Sequence, residues 1–531
     1  MLNLSRRSIL KGAAVTALAA PIAGAGAVQL KELGGKNIRW DKTTDVLVVG
    51  FGGAGGAAAI EAKDKGADVL IIEKMKEPGG NTGVSGGGIM IPDDVEDAIE
   101  YLSATYTLAN SEKDDDLLKT FCEEIVKQKP FLESLGKDVT IGVYGYAGFQ
   151  KLPKASTIKK YAVRGPGAGG QKLFNLYKNG VESRNIPVMC NTPAQRLIMD
   201  GDEVIGVIAS NNGRDINIQA RKAVILTCGG YEFSKELIQN NFVGKDIYAI
   251  GNPGNTGDGI YLAQSAGAKL WHMNCYSCNL GIPVPGYTGA ISMALRAARA
   301  IYVDHNGKRF ANERGIDSHT GGYVVGVLDP VHQTFPRIPV YMIFDEEARL
   351  SGPATAGVLG SGWNVVKEGL RWSKDNSAEI DQGVILKADT LEELAKKISV
   401  PTDALVETVK KWNEDMSKGV DTQFGRPLTK GSKVKMAYLD DKTKLWSAPI
   451  NKAPYYAMPI YPAIVNTQGG PRRNVKGQVL NVFNEPIPRL YSAGELGSMW
   501  GAIYQGACNN AEALVFGRIA GRTAAGEKSR V

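Results

Sequence analysis

The chain has 531 residues, of which 43% are apolar and 22% charged, and its formal net charge is +7. This length predicts two or more packed units, and the composition excludes a chain that is disordered throughout. Without Arg6, Arg7 and Lys11 at the N-terminus the net charge is about +4, a mild bias that gives no argument for nucleic-acid binding.

The N-terminal segment has the pattern of an export signal. Ser5-Arg6-Arg7-Ser8 precedes a small apolar run from Gly12 to Val28. A charged start, a short apolar run and small residues for cleavage indicate a signal peptide, and the paired arginines indicate a twin-arginine signal. A membrane anchor or a processed basic tail is the alternative, but the run is too short and too weakly apolar to span a bilayer comfortably. We therefore predict a leader at residues 1–27 and a periplasmic or otherwise extracytoplasmic protein without a permanent membrane span.

The next segment predicts a strand, a glycine turn, a helix and a second strand. Val46–Val49 and Val69–Ile72 are apolar runs, and the second run ends at Glu73. A carboxylate at that place can accept hydrogen bonds from both hydroxyls of an adenosine ribose. No arginine follows directly to bind a 2'-phosphate. The pattern is typical of a dinucleotide-binding fold.

Three glycines of the turn have separate roles in this prediction. Gly50 permits the sharp bend, Gly52 lets the backbone approach a pyrophosphate, and Gly55 lets the helix pack closely on the strand. A glycine-rich surface loop is the alternative. The strands, the helix and the terminal acid follow the glycines in the expected order and spacing, which argues against that alternative.

A second glycine-rich segment favours FAD over NAD. Gly79–Thr82 and Gly86–Gly88 come directly after the ribose acid, where a flavin enzyme must pass its backbone beside the pyrophosphate and the ring. Further glycine signals follow an apolar strand at Gly229-Gly230 and occur within 252–260. Near the C-terminus a strand runs into Ala493-Gly494-Glu495 and a helix follows at about 509–524. Its N-terminus would stabilise negative charge on a reduced flavin.

The middle of the chain, 275–465, differs in character and predicts a domain inserted into the first one. It contains a predicted hairpin that turns at Asn306-Gly307 and two helices, one of which has a capping box at Thr390 and Glu393. The sequence thus predicts an α/β protein with a Rossmann-like FAD-binding domain at 42–274 and 466–531 and an inserted α+β clamp domain.

The six cysteines indicate neither a disulfide scaffold nor a metal centre. Cys275 and Cys278 form a CxxC pair, but no second pair and no CxxCH motif is present. We expect buried thiols or one local disulfide, with an iron-sulfur cluster or a redox dithiol as the alternative.

Together these motifs resemble the flavoprotein superfamily of fumarate reductase and succinate dehydrogenase, which includes urocanate reductase and 3-ketosteroid dehydrogenases. The resemblance covers roughly 42–525 and includes GFGGAG, GGNTGVSGGG, TCGGY, NTGDGI, GKRFANE, TQGG, YSAGE and FGRIAG. It implies that Glu73 holds the ribose, that Glu495 holds the ribityl chain, and that the inserted domain closes over the substrate. Some members attach FAD through a histidine, whereas this chain has Gly80-Asn81-Thr82 there, which implies non-covalent FAD.

The residues predicted to bind FAD share these glycine turns, the two acidic positions and the helix that follows them. They are Gly50, Gly52, Gly53, Ala54, Gly55, Glu73, Lys74, Gly80, Asn81, Thr82, Gly86, Gly87, Gly88, Gly229, Gly230, Thr256, Asp258, Glu495 and Ala511.

The departures from the family concern the substrate. Fumarate reductases grip two carboxylates with two histidines and an arginine, where this chain aligns Asn279, Asn466 and Tyr504. Their proton-donating clamp arginine aligns with 315–317, and Arg314 lies close enough for a shifted alignment to supply one. Loss of the histidines and an arginine removes the charge needed to bind a dianion. Fumarate or succinate is therefore disfavoured as the substrate.

The tyrosine in the loop after the AGE motif is similar to the tyrosines of 3-ketosteroid dehydrogenases, which polarise a carbonyl or relay a proton. We predict Tyr504 or Arg314 as proton donor, with Tyr323 as a weaker candidate. The predicted substrate-binding residues are Asn279, Asn466, Gly469 and Gly470.

The sequence therefore predicts an exported FAD oxidoreductase that acts on a C=C or CH–CH bond of a small organic molecule. Export and the lack of a haem motif imply a separate electron donor, such as a c-type cytochrome or a quinol-linked protein. A 3-ketosteroid dehydrogenase is one alternative. A flavin electron-transfer module without its own substrate is another, which the predicted clamp disfavours.

Overall fold

The computed structural model describes residues 26–34, 38–316, 319–355, 360–429 and 445–530. Residues 1–25 of the predicted leader lie outside these ranges, as does Asp317 of the segment that aligns with the family's clamp arginine. The strands are β1 (Gly26–Gln29), β2 (Lys42–Val49), β3 (Val69–Ile72), β4 (Ile89–Pro92), β5 (Ile141–Tyr146), β6 (Ile158–Val163), β7 (Val188–Met189), β8 (Ala194–Asp200), β9 (Glu203–Asn211), β10 (Arg214–Leu226), β11 (Tyr248–Ala249), β12 (Leu270–Trp271), β13 (Tyr276–Pro283), β14 (Ala290–Ser292), β15 (Ala300–Val303), β16 (Val340–Asp345), β17 (Leu386–Ala388), β18 (Tyr455–Thr467), β19 (Gly470–Pro471), β20 (Gln478–Leu480) and β21 (Pro486–Ser492).

The helices lie in both halves of the chain. They are α1 (Gly53–Asp64), α2 (Gly80–Val84), α3 (Val95–Ala109), α4 (Asp115–Ile125), α5 (Gln128–Ser134), α6 (Gly169–Ser183), α7 (Lys235–Asn241), α8 (Asp258–Ser265), α9 (Gly321–Val325), α10 (Glu346–Leu350), α11 (Trp363–Val366), α12 (Ser377–Asp381), α13 (Leu391–Ile398), α14 (Thr402–Ser417) and α15 (Cys508–Ala525). Among the residues described, no helix combines the length and the hydrophobicity that a bilayer span requires.

A nine-stranded sheet with a parallel centre forms the nucleotide-binding half. β2 pairs in parallel with β3 and with β10, and β7 and β21 extend these pairings. The apolar run Val46–Val49 and most of β10 beyond Ala223 are buried, as expected for strands covered on both faces. The carboxyl ends of β2, β3 and β10 meet at one edge, where open α/β sheets bind their ligands. The predicted α/β class with a Rossmann-like centre is confirmed.

The first described strand lies at the far edge of the same sheet. β1 pairs in parallel with β8, and the side chain of Val28 is buried in a small cluster there. The predicted leader ended at residue 27, so its last two residues overlap this strand.

Two helices pack against each other through glycine and alanine. All residues of α1 from Gly53 to Ala62 are buried. A Cβ atom at Gly517 of α15 would lie 2.6 Å from the carbonyl oxygen of Ala54 and 3.0 Å from the Cβ of Ala57. The two helices therefore lie backbone against backbone, and this contact holds the N-terminus of α15 at the ligand edge of the sheet.

A seven-stranded sheet forms the centre of the inserted half. β18 pairs antiparallel with β13 and β16, which β14 and β15 flank. The segment from β13 to β18 spans 276–467, within two residues of the predicted insertion at 275–465. β11, which precedes that insertion, adds to β18 in parallel. β12 pairs with β19 where the chain leaves and re-enters the nucleotide-binding half.

The predicted hairpin at Asn306-Gly307 is wrong in its pairing. The turn is present, since the N–H of Gly307 donates to the carbonyl of Asp304 at 2.9 Å. β15 pairs with β16, however, and not with the residues directly after the turn. A turn signal reports local backbone geometry but not which distant strand supplies the partner.

A methyl group added at the α1–α15 contact tests this packing. We expect Gly517→Ala to lower the free energy of unfolding by about 1–3 kcal/mol and to reduce FAD content, because its Cβ would strike the backbone of Ala54, which cannot rotate away. Urea unfolding and the flavin absorbance of the purified protein measure the two effects. Gly83→Ala is the matched control, since its Cβ would meet nothing closer than 4.0 Å. Equal stability of the two variants would contradict the proposed packing.

Candidate active site

A cavity of about 450 Å³ lies where the ligand edge of the nine-stranded sheet meets the inserted half. Most of the sequence-predicted site residues line it. They are Gly50, Gly52, Gly53, Ala54, Glu73, Lys74, Gly80, Asn81, Thr82, Gly86, Gly87, Gly88, Gly229, Asp258, Glu495, Asn279, Asn466 and Tyr504.

The first glycine turn leaves bare backbone facing the cavity. Gly50 has a φ of +105°, and a Cβ there would lie 2.5 Å from the carbonyl oxygen of Thr227. A Cβ at Gly55 would overlap the carbonyl oxygen of Gly50. Gly55 therefore permits the packing of strand and helix, as predicted, and does not line the cavity. The N-terminus of α1 faces the space where a pyrophosphate binds in this type of fold, and its first N–H, that of Gly53, donates to the hydroxyl of Thr82 at 3.2 Å.

Glu73 follows β3 and is held by backbone donors. Its carboxylate accepts the N–H of Phe51 and the N–H of Met75, each at 2.8 Å. Burial raises the pKa of Glu73, although these hydrogen bonds and the neighbouring Lys74 oppose that effect. Two fixed carboxylate oxygens beside the cavity suit the paired hydroxyls of a ribose.

Lys74, the next residue, is neutralised within the protein. Its ammonium group donates to Asp258 at 2.6 Å and to Thr256 at 2.7 Å. Thr256 also donates to Asp258 at 2.7 Å, so the three residues form one cluster. Thr256 does not line the cavity, and its role is to position Asp258 and Lys74. A neutralised lysine leaves no net positive charge for a ribose phosphate at this place.

A buried carboxyl pair lies beside the second glycine segment. The amide of Asn81 donates to Glu232 and to Glu495, both at 2.8 Å, and Asn255 donates to Glu232 at 2.8 Å. Burial raises the pKa of Glu232 to about 7, and burial together with the nearby charge of Glu232 raises the pKa of Glu495 well above its usual value. The low dielectric makes two negative charges costly here, so the pair shares a proton near neutral pH.

The N-terminus of α15 supplies unpaired polar groups to the cavity. Both polar atoms of the Asn509 side chain are buried and have no hydrogen-bond partner within the described ranges. Asn510 lies beside it and donates to the carbonyl of Gly88 at 3.1 Å. Buried amides in native proteins are normally paired, so Asn509 indicates a bound group with both donors and acceptors. A flavin ring edge has this character, and the residues present therefore fit FAD.

The other end of the cavity collects neutral polar side chains. Tyr504 is buried, and its hydroxyl oxygen accepts the N–H of Asn509 at 3.0 Å. Burial raises the pKa of Tyr504 well above its usual value, so the phenol keeps its proton. Asn466 faces this end, whereas Asn279 has its amide engaged by Ser292 and by the carbonyl of Met293. None of the cavity-lining residues within the described ranges is an arginine.

Arg314 and Tyr323 are not brought to the cavity. The guanidinium of Arg314 donates to four backbone carbonyl groups of the inserted half at 3.0–3.4 Å, and burial lowers its pKa to about 10. The side chain of Tyr323 is partly exposed, and its hydroxyl donates to the carbonyl of Tyr276 at 3.3 Å. Neither residue faces the cavity-lining groups, so we do not retain them as proton donors. Arg314 holds loops together instead.

Four more predicted residues lie just behind the cavity wall. A Cβ at Gly230 would overlap the side chains of Glu495 and Thr467, and a Cβ at Gly470 would overlap the backbone of Gly497. A Cβ at Gly469 would lie 2.7 Å from Met273. Ala511 is buried within α15. These positions shape the wall through close packing and do not line the cavity.

Sequence reasoning missed several side chains that do line it. Tyr144, Lys160, His319 and Asn509 all face the cavity. The aromatic residues of 143–149, which include Tyr144, are a sequence signal for a pocket, although they suit packing against a loop equally well. His319 lies a few residues after the GKRFANE motif, but a single histidine in a sequence is usually structural. β5 and β6 form a small sheet that brings Tyr144 and Lys160 in, and no local pattern indicates that destination.

The cysteines form no reactive centre within the described ranges. All six are free, and Cys275 and Cys278 are not joined. Burial raises the pKa of Cys275 to about 11 and that of Cys278 to about 12, so both remain protonated and weakly nucleophilic. No cluster of potential metal ligands occurs among the described residues.

Comparison with known proteins agrees with this geometry. A family model described as "FAD binding domain" matches residues 45–510. The NADH:fumarate oxidoreductase of Klebsiella pneumoniae is 29% identical over 92% of this chain, and the match spans 48% of that protein, so the chain covers about half the length of this relative. The acrylate reductase flavoprotein subunit of Shewanella woodyi is 28% identical over 98% of both chains.

A solved structure shows the same fold. The 3-ketosteroid Δ1-dehydrogenase of Sterolibacterium denitrificans matches with a TM-score of 0.77 at 24% identity, over 91% of this chain and 99% of that one. The match to the family model over residues 45–510 confirms the resemblance deduced from the motifs at the level of the family.

Release of the cofactor tests whether it is covalently attached. The segment Gly80–Thr82 carries no histidine, and Asn81 is engaged by Glu232 and Glu495. We expect acid precipitation of the holoprotein to leave all yellow colour in the supernatant, with the absorbance spectrum and chromatographic retention of free FAD. Flavin that stays with the pellet, or fluoresces in a denaturing gel band, would contradict non-covalent binding.

The carboxyl pair predicts a pH dependence of stability for the protein without FAD. The folded-state pKa of Glu232 is raised to about 7 from an ordinary value of 4.5, so its contribution is full below about pH 4.5 and is lost as pH rises through about 7. We expect Glu232→Gln to gain stability relative to wild type across this window, by up to about 1.4 kcal/mol per pH unit. Urea midpoints between pH 5 and 8 measure the gain.

The exposed Glu407 supplies the matched control, because Glu407→Gln removes a solvated carboxylate on α14 and should give the same difference from wild type at every pH. Parallel curves for wild type and Glu232→Gln would show that the buried carboxyl pair does not hold the extra proton.

Proposed function

The chain belongs to the family defined by this FAD-binding domain, and on that premise we propose that it is an FAD-dependent oxidoreductase that acts on a C=C or CH–CH bond of a small organic substrate. The observation that carries the proposal is the cavity itself. Its dinucleotide end is lined by glycine turns and Glu73, and its other end is lined by Tyr504, His319 and Asn466. Bound FAD supplies hydride chemistry, and the side chains at the other end hold and polarise the substrate.

The charge of the cavity supports a substrate with at most one carboxylate. Fumarate carries two, and proteins commonly bind such groups with arginine forks. The described lining residues contain no arginine, and Lys74 is paired with Asp258 at the dinucleotide end. Besides Lys74, one lysine, Lys160, lines the cavity within the described ranges. Acrylate has one carboxylate, and a reductase named for it is similar to this chain over nearly its whole length.

We favour reduction as the direction. A separate donor, such as a c-type cytochrome or a quinol-linked protein, would supply the electrons. The name of the Shewanella woodyi relative, a flavoprotein subunit, supports a division of labour between chains. The paired arginines of the N-terminal segment support export by the twin-arginine route, away from NADH.

A 3-ketosteroid dehydrogenase is the second candidate, because Tyr504 and Tyr144 both line the cavity. Two phenols can bind and polarise a ketone oxygen. Oxidation of 4-androstene-3,17-dione with an artificial electron acceptor, in the absence of enoate reduction, would favour this candidate over ours. A flavin module without its own substrate is disfavoured because the inserted half supplies Asn279, His319 and Asn466 to the cavity wall.

A panel of electron acceptors tests the proposed function. Anaerobic holoprotein reduced with methyl viologen should be reoxidised by acrylate or cinnamate, with kcat/KM at least about 100-fold higher than for fumarate, since a second unpaired carboxylate must be desolvated. Flavin absorbance at 450 nm follows the reaction. Fumarate and a buffer blank without acceptor serve as references. If no enoate or enone reoxidises the flavin, the proposed oxidoreductase activity is refuted. If fumarate is used preferentially, the proposal of a substrate with at most one carboxylate is refuted.

Export is tested by changing the arginine pair. We expect wild type with a C-terminal tag to reach the periplasm of a host with a twin-arginine system, because that system recognises the paired arginines. The double variant Arg6→Lys and Arg7→Lys should stay in the cytoplasm with its FAD bound. Immunoblots of fractionated cells report the distribution, and equal export of both proteins would exclude a twin-arginine signal.

A further inference from the structure

His319 is placed at the junction of the two halves of the molecule. It belongs to the inserted half, where its carbonyl accepts the N–H of Cys278 at 3.0 Å and Thr320 bridges to the same residue. Its imidazole leaves that half and contacts the loop after β21. The ring lies edge-on to Tyr504, with the two ring centroids 5.0 Å apart and the planes at 67°.

Gly506 makes room for this imidazole. A Cβ atom at Gly506 would lie 2.7 Å from Cε1 of His319, 3.2 Å from Nδ1 and 3.3 Å from Nε2. The backbone φ of Gly506 is not in the left-handed region, so the absence of a side chain is needed for space and not for a turn. The ring is thus seated against bare backbone, with His319, Tyr504 and Gly506 together in the cavity wall.

Reduction of a C=C bond needs a proton as well as a hydride. The hydride and its two electrons are the chemistry that FAD supplies, and the proton must come from a side chain that faces the substrate. Arg314 cannot provide it, because four carbonyl groups hold its guanidinium elsewhere. Tyr504 keeps its proton because a phenolate in this buried place would be costly. An imidazole is the general acid that enzymes use most often.

We propose that His319 is the catalytic proton donor of this site and that Tyr504 acts as a neutral hydrogen-bond donor to the substrate oxygen. This inference rests on the proposed function. FAD would supply the hydride for one carbon of the C=C bond, and the protonated imidazole of His319 would give its proton to the other. Two C–H bonds replace the π bond, an N–H bond of the imidazolium breaks, and the neutral imidazole that results takes up a proton from solvent. Because His319 comes from the inserted half, closure of that half completes the catalytic set.

Stopped-flow reoxidation of the reduced holoprotein tests this assignment. The acceptor is whichever of acrylate, cinnamate and 4-androstene-3,17-dione reoxidises wild type fastest. We expect His319→Gln to slow reoxidation at least about 100-fold, the usual weight of a general acid, with FAD content and the rate of reduction by dithionite unchanged. Gly506→Ala should slow the same step by displacing the intact imidazole.

Two readouts separate a proton donor from a structural residue. Added imidazole should raise the reoxidation rate of His319→Ala at least about tenfold, because a free imidazole can enter the vacated space and carry the proton. Wild type should show a solvent deuterium isotope effect on reoxidation that Tyr504→Phe retains. His305→Gln is the matched control, because His305 lies in the same half against Tyr341, outside the cavity wall.

These outcomes distinguish failure of the proposed function from failure of the proton-donor assignment. If no acceptor reoxidises wild type, the proposed function fails and the role of His319 falls with it. If wild type reacts and His319→Gln reacts as fast, only the proton-donor assignment is overturned. A slow His319→Ala that imidazole does not rescue would likewise overturn it, because His319 would then act only as a tether between the two halves.

Discussion

Contact of backbone against backbone is the constraint on which the rest of this structure depends. Strand β2 turns into α1 without side chains at Gly50 and Gly55, and α15 lies on α1 through Gly517. These contacts place the N-termini of α1 and α15 around one cavity. A pyrophosphate and a flavin carry negative or developing negative charge along their length, and helix N-termini offer matched partial positive charge. Any side chain at these glycines would separate the elements that form the cradle.

The inserted half depends on this cradle and completes it. β18 enters the cavity wall at Asn466, which pairs with Ser277 of β13. The segment after the GKRFANE motif adds His319 from the same half. The substrate end of the cavity is therefore assembled from residues that lie more than 100 positions apart. A site split between two halves can open for substrate and exclude water when it closes.

Charge is distributed unevenly along the cavity. At the dinucleotide end, Glu73 is held by backbone N–H groups and Lys74 is balanced by Asp258. Burial raises the pKa of both Glu232 and Glu495, and Asn81 links the two carboxyl groups. The substrate end is built mainly from neutral groups such as Tyr504 and Asn466. This contrast supports a substrate of low charge and a chemistry in which polarisation by hydrogen bonds replaces ionic binding.

The sequence by itself determined the family, the α/β class and most of the dinucleotide end. These features depend on local signals: an apolar strand, glycines at defined spacing and an acid such as Glu73 at the end of the next strand. The signals are local because bare backbone and helix ends are formed by neighbouring residues. The same reasoning placed Tyr504, Asn279 and Asn466 in one site, through the family motifs beside them.

Only the tertiary structure decided which other side chains meet at the substrate end. Arg314 and Tyr323 belong to segments from which the sequence predicts a proton donor, yet neither side chain lines the cavity, because their hydrogen bonds hold them within the inserted half. His319 and Lys160 come from segments with no motif of their own, and they enter the cavity because separate sheets and loops converge there. The direction of a side chain across such a junction depends on contacts between distant parts of the chain, which residue spacing does not encode.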